Sequence, residues 1–156
     1  MCHYCGCRHI RLIRDYIAEH ERVTEHGDHA VRALDRGDVE AATAHVDAMA
    51  EELRTHWQGE EKGVFALMID DPTYREHIEP LIAEHRELEV ILRSLDLSRA
   101  ADQAVLREQV IELGVHIAKE EDGIFPATLV EFSGAEWDQA IAAWQAAHPG
   151  QELIAD

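Results

Sequence analysis

Apolar residues recur along this chain at alternating intervals of three and four, the period of a helix face directed at a core. The first such run is Ile10, Ile13, Ile17, His20, Thr24, Gly27, Val31 and Leu34. A second holds Val39, Ala42, Val46, Met49, Leu53, His56 and Glu60, and a third Ile78, Leu81, His85, Leu88, Leu92 and Leu95. The fourth is Leu106, Gln109, Leu113, His116, Glu120 and Gly123. The breaks between runs carry turn and cap chemistry. Arg36-Gly37-Asp38 supplies a basic last turn, a glycine stop and an aspartate N-cap. Asp70-Asp71-Pro72-Thr73 is a second break, with Thr73 and Glu76 spaced as a capping box, and Ser98 caps a third between Leu95 and Asp102. Ser133 and Glu136 form another capping box after Phe132. The pattern predicts four long helices over about 9–36, 38–69, 73–96 and 99–130, and a short fifth over about 134–147. Short loops between long helices predict an all-α fold, an antiparallel up-down-up-down four-helix bundle. The stripe Trp137, Ile141 and Trp144 docks the fifth helix across it.

Four histidines and two glutamates occupy stripe positions that otherwise hold apolar residues: His20, His56, His85, His116, Glu60 and Glu120. Counting residues to the turns near 37, 71 and 99 places all four histidines at similar heights, hence in one layer of the bundle. Glu60 and Glu120 each follow a histidine by four residues, one turn along the same face. A histidine–carboxylate pair from each of two helices, facing single histidines from the other two, has the spacing of a dinuclear metal site. A metal-free polar network of the same residues is the alternative, because buried and unpaired each would cost several kcal/mol.

The chain also repeats itself. His56-Trp-Gln-Gly-Glu60-Glu61-Lys-Gly63-Val64-Phe65 matches His116-Ile-Ala-Lys-Glu120-Glu121-Asp-Gly123-Ile124-Phe125, and Tyr16-Ile-Ala-Glu19-His20 echoes Leu81-Ile-Ala-Glu84-His85. The two halves read as copies of one helical hairpin. The ordered motifs, lone histidine, H-x-x-x-E-E, lone histidine in an E-H dipeptide and a second H-x-x-x-E-E followed by I-F-P, resemble the hemerythrin-like, or HHE cation-binding, domain over about residues 9–130. That resemblance implies a four-helix bundle holding two non-heme irons bridged by carboxylates and an oxo or hydroxo group. It implies His20, His56, His85 and His116 as terminal ligands and Glu60 and Glu120 as bridges. The chain departs from the oxygen-carrying members at two places. Leu81 stands where those have a second histidine on the third helix, and Glu120 lies four residues after His116 where they place an aspartate five residues on, the position here of Glu121. Fewer histidines leave open metal positions, which suit chemistry on hydrogen peroxide, oxygen or nitric oxide, of a catalase, peroxidase or oxidase kind linked to oxidative stress. A carrier, store or sensor of oxygen or iron without turnover is the alternative. Manganese or zinc could occupy the same donors.

Composition narrows the partners. The 156 residues, long enough for one self-sufficient core, carry 14 Lys and Arg against 32 Asp and Glu, a formal charge of −18. Such a chain is expected to bind neither nucleic acid nor an anionic membrane surface; a small-molecule partner, oxygen, peroxide or nitric oxide, is what the resemblance implies, and protein partners stay open. No apolar run reaches the length of a membrane span, and the N-terminus lacks the apolar core of a secretory signal, so the sequence reads as cytoplasmic. Of 11 histidines, four share the layer; His26, His29, His45, His77 and His148 read as surface residues. Glu61 and Glu121 are expected to point to solvent, and Phe65 and Phe125, with Leu67 and Leu129, to close the apolar end of the site. The domain layout is thus a cysteine-rich tail over 1–8, the bundle over 9–130, and a C-terminal helix and tail over 131–156. Cys2, Cys5 and Cys7 could bind a soft metal together with a histidine, act as redox thiols, or form a tail without a site.

Overall fold

The computed structural model describes residues 6–154, and Cys2 and Cys5 lie outside that range, as does the side chain of Cys7. Regular structure among the described residues is helical throughout. After a short 3-10 turn at Cys7–His9 come α1 (Ile13–Asp35), α2 (Val39–Lys62), α3 (Val64–Met68), α4 (Pro72–Ser94) and α5 (Ala100–Lys119). A π-helical turn, Glu120–Ile124, leads into α6 (Phe125–Glu131), and α7 (Gly134–Ala147) closes the fold. Helices α1 and α2 run antiparallel: Arg22 pairs with Glu52, His20 meets His56 and His26 meets His45, so numbers rise on one helix as they fall on the other. The whole arrangement is compatible with an up-down bundle.

The ends of the helices follow local chemistry, with corrections. Asp38 caps α2 by accepting from the Ala41 amide at 3.0 Å, and Gly37 turns the chain at φ +74°. Ser133 donates its amide to Glu136 at 2.8 Å, the expected capping box. At α4, however, Asp71 and not Thr73 is the cap, because Pro72 occupies the first helical position and leaves the Thr73 amide free to donate to Asp71 at 2.8 Å. Ser98 instead donates to Asp96, and α5 begins a residue later. Helix α1 starts at Ile13 rather than near 9, since the Leu12 amide is taken by the buried Asp15 carboxylate at 3.2 Å.

The two predicted long runs that carry the H-x-x-x-E-E motifs are interrupted, the first just beyond its motif and the second from Glu120 onward. Gly63 ends α2, and a Cβ there would come within 2.7 Å of the Gly59 carbonyl oxygen. In the second copy the chain widens, the Phe125 amide donating five residues back to Glu120. The added residue shifts the phase, so Ile124 rather than Gly123 turns inward. In α1, Val23 and Ala30 take the buried positions expected of Thr24 and Val31, reflecting the 3.6-residue period against a strict seven-residue count.

The buried apolar residues form two clusters. One gathers Ile13, Tyr16, Phe65, Leu81 and Phe125 with Trp144 of α7, and the other Val23, Met49, Leu53, Leu88 and Leu113. His20 and His85 fall in sequence between members of the two clusters on their own helices, and His56 and His116 between one cluster on their helix and the other at Val64 of α3 and Ile124 of the π turn, so the polar layer sits between two hydrophobic ones.

Candidate metal centre

The six predicted residues come together. His20, His56, His85 and His116 are 2, 1, 0 and 6 % exposed, and Glu60 and Glu120 are completely buried. His20 and His56 approach through their Nε2 atoms at 3.0 Å, and His85 and His116 do the same at 3.0 Å. Glu120 lies between the pairs, one oxygen 3.1 Å from His20 Nε2 and the other 2.9 Å from His116 Nε2 and 3.5 Å from His85 Nε2. Glu60 faces it, 3.3 Å from His56 Nε2 and 3.8 Å from His85 Nε2. Ligating atoms of His20, His56, Glu60 and Glu120 all lie within 4.8 Å of one another, and those of His85, His116 and Glu120 form a second such group.

Behind each imidazole stands a carboxylate. Nδ1 of His20 donates to Glu121 at 3.0 Å, of His56 to Glu19 at 2.6 Å, of His85 to Glu61 at 2.9 Å and of His116 to Glu84 at 2.7 Å. The pattern repeats in both halves of the chain: the glutamate before each lone histidine holds the motif histidine of its own half, and the second glutamate of each motif holds the lone histidine of the other half. This corrects the reading of Glu61 and Glu121 as solvated. Each lies one residue beyond a stripe position, rotated about 100° around its helix, where the back of a neighbouring helix's imidazole passes. The doubled E-E and E-H dipeptides were the signal for this role.

Two further corrections concern histidines expected at the surface. His148 is 3 % exposed; its Nδ1 donates to the Trp144 carbonyl at 2.8 Å, its ring stacks on Trp144, and its Nε2 stands 3.2 Å from Glu19. Trp144 also donates to Glu19, at 2.7 Å, so α7 braces the carboxylate that orients His56. His26, His29 and His45 are half-buried against one another rather than exposed, while His77 is exposed as expected. Phe125 stacks on His20 and Phe65 on His85, the predicted apolar closure. Arg8, from the segment read as a tail, pairs with Glu121 at 2.8 Å.

The electrostatics describe a cavity prepared for positive charge. Burial disfavours charge on the imidazoles, but the carboxylates outweigh it: Glu120 and Glu121 raise His20, and Glu60 and Glu19 raise His56 well above the usual histidine value. Glu120, Glu84 and Glu60 together lift His116 to about 9 against the same penalty. Burial would raise Glu120, yet His116, His20 and His85 hold it well below the ordinary carboxylate range. The donor set fits a metal. With Nδ1 committed to an outer glutamate, each neutral imidazole turns the Nε2 lone pair inward, toward carboxylates whose four buried oxygens accept no hydrogen bond of good geometry. Lone pairs facing carboxylates repel unless protons or a cation lie between them. Two metal–nitrogen bonds of about 2.1 Å meeting at a right angle separate their nitrogens by about 3.0 Å, the spacing of both histidine pairs.

Fold and site define an all-helical protein with an imidazole–carboxylate cluster of metal-ligating type in its core. The family model of the hemerythrin HHE cation-binding domain matches residues 11–128, and the chain belongs to that family. No curated protein and no solved structure matches the chain. Among the described residues, no helix is long and apolar enough to cross a membrane.

Proposed function

We propose that residues 9–130 form an antiparallel four-helix bundle around a dinuclear non-heme iron centre that performs redox chemistry on hydrogen peroxide, oxygen or nitric oxide. His20 and His56 would hold one ion and His85 and His116 the other, with Glu60 and Glu120 as the carboxylates shared by both. The observation carrying this reading is the convergence of four lone-pair nitrogens on two completely buried carboxylates that find no hydrogen bond of good geometry. When bound, two irons supply and accept the electrons that a small oxidant exchanges. The chain does the rest. Glu19, Glu61, Glu84 and Glu121 fix ring orientation and raise imidazole basicity. The two apolar clusters keep bulk water from the centre. Leu81, packed among apolar residues at 2 % exposure, contributes no donor, so ion positions stay open to a small molecule. A cavity of about 350 Å³ between α4 and α5, lined by His85, His116, Trp57 and Leu113, gives such a molecule a route in.

Metal analysis of the wild type against His56→Ala and Glu120→Ala tests the centre: two irons per chain are expected, falling sharply in both variants. Oxygen release from added peroxide by the iron-loaded protein tests the chemistry. Stable, reversible oxygenation without turnover would instead establish a carrier or sensor. Metal content unchanged in both variants would remove the site assignment altogether. Manganese or zinc in place of iron would keep the site and change its chemistry.

A further inference from the structure

Outside the centre, α1 and α2 carry a second histidine group. His26 and His29 are three residues apart, on one side of α1, and His45 faces them from α2. His26 Nδ1 lies 3.1 Å from His45 Nδ1, and the His29 and His45 ring centroids are 5.0 Å apart. All three are half-buried. They also differ from the four core histidines in their partners: the described hydrogen bonds and ion pairs bring no carboxylate to any of the three rings. The Nδ1–Nδ1 contact holds a single proton, donated by one ring to the lone pair of the other. Burial and the neighbouring rings of His29 and His26 lower the His45 pKa, which keeps its nitrogens available as donors at neutral pH. Exchanging that bridging proton for a divalent ion needs little movement, because two bonds of about 2.0–2.1 Å at angles between 90° and the tetrahedral value place their nitrogens about 2.8–3.4 Å apart. A rotation of the half-exposed His29 ring adds a third donor, and water completes the shell.

We propose that His26, His29 and His45 form a second, surface cation site, separate from the core cluster, that takes a divalent transition ion of the imidazole-preferring kind, zinc or copper. Hard ions such as calcium and magnesium are excluded by the absence of oxygen donors on the rings. The chain's charge of −18 raises the local concentration of any cation that the site competes for. The inference does not rest on the proposed iron centre.

Zinc and copper(II) are the probes. Chains with the core loaded with iron are equilibrated with Zn²⁺, passed through a desalting column and analysed for both metals. One zinc per chain beyond the iron is expected in the wild type. It is expected to be lost in His45→Gln and in the His26→Gln/His29→Gln double variant, with iron content unchanged in both. Copper(II) bound to the wild type should show nitrogen hyperfine coupling in its paramagnetic resonance spectrum, and the coupling should disappear in His45→Gln. Equal zinc retention by wild type and both variants would overturn the proposal. Loss of iron in His56→Ala with zinc at the surface retained would leave this site standing whatever the fate of the core assignment.

Discussion

Every imidazole of the core layer is gripped at Nδ1 by a glutamate from another helix, and this decides which nitrogen faces inward. Such outer partners set metal affinity: Glu61→Ala should weaken iron binding about 10- to 100-fold while leaving the helical content intact, read by competition with a chelator and by circular dichroism. The same carboxylates govern the metal-free protein. His116 titrates at about 9 when folded and near 6.5 when unfolded, so its protonated form favours the native state. The stabilisation is complete below about pH 6.5 and is lost as pH rises through about 9. Urea unfolding of the metal-free chain should therefore show a falling stability between those values, and a flat profile would contradict the geometry around Glu84 and Glu120. Metal binding opposes the same protons, so loading should release them and weaken as the solution becomes acidic.

At the scale of elements, the interruptions beyond each motif shape the centre. Gly63 sits where a side chain would strike the Gly59 carbonyl at 2.7 Å and the Ala140 carbonyl at 3.3 Å, both backbone and neither free to move alone. Gly63→Ala should cost about 1–3 kcal/mol by overpacking, measured by thermal or urea unfolding. Gly123→Ala, in the π turn with nothing within 4 Å, is the matched control and should change stability little. At the start of the π turn Glu120 faces His20, His85 and His116 from inside the layer while Glu121 holds His20 at Nδ1 from behind. Helix α7 reaches the layer through Trp144, whose indole holds Glu19. Trp144→Phe keeps the packing and removes that donor, and should destabilise the fold by about 1–3 kcal/mol. A variant as stable as the wild type would mean that His148 and His56 satisfy Glu19 without it.

In the whole molecule, two apolar clusters enclose a polar layer that only positive charge completes. An ion that binds the native chain and not the unfolded one adds RT ln(1 + [L]/Kd), about 2.7 kcal/mol at one hundred times Kd. Iron(II) should therefore raise the thermal midpoint of the wild type and leave that of His56→Ala nearly unchanged, by calorimetry under anaerobic conditions. The acidic surface gives solubility and a cation-attracting field.

Much of this was legible along the chain. A helix places residues i and i+4 on one face, so the interruption of apolar stripes by His20, His56 and Glu60, and His85, His116 and Glu120, marked an inward polar layer before any contact was known. Asp38 and the Ser133–Glu136 pair marked their helix ends because cap bonds are made within a few residues. What depends on a partner from a distant part of the chain was not legible. Glu61 and Glu121 lie off their own helix stripes and find His85 and His20 only when other helices pass beside them. His148 is buried because α7 lays it against Glu19, 129 positions away in sequence order. The sequence by itself determined the helices and the six inward polar residues, since both follow from local periodicity. The tertiary structure decided which carboxylate orients each imidazole, where α7 braces the layer and that His26, His29 and His45 meet, because those distances are set by how the helices pack.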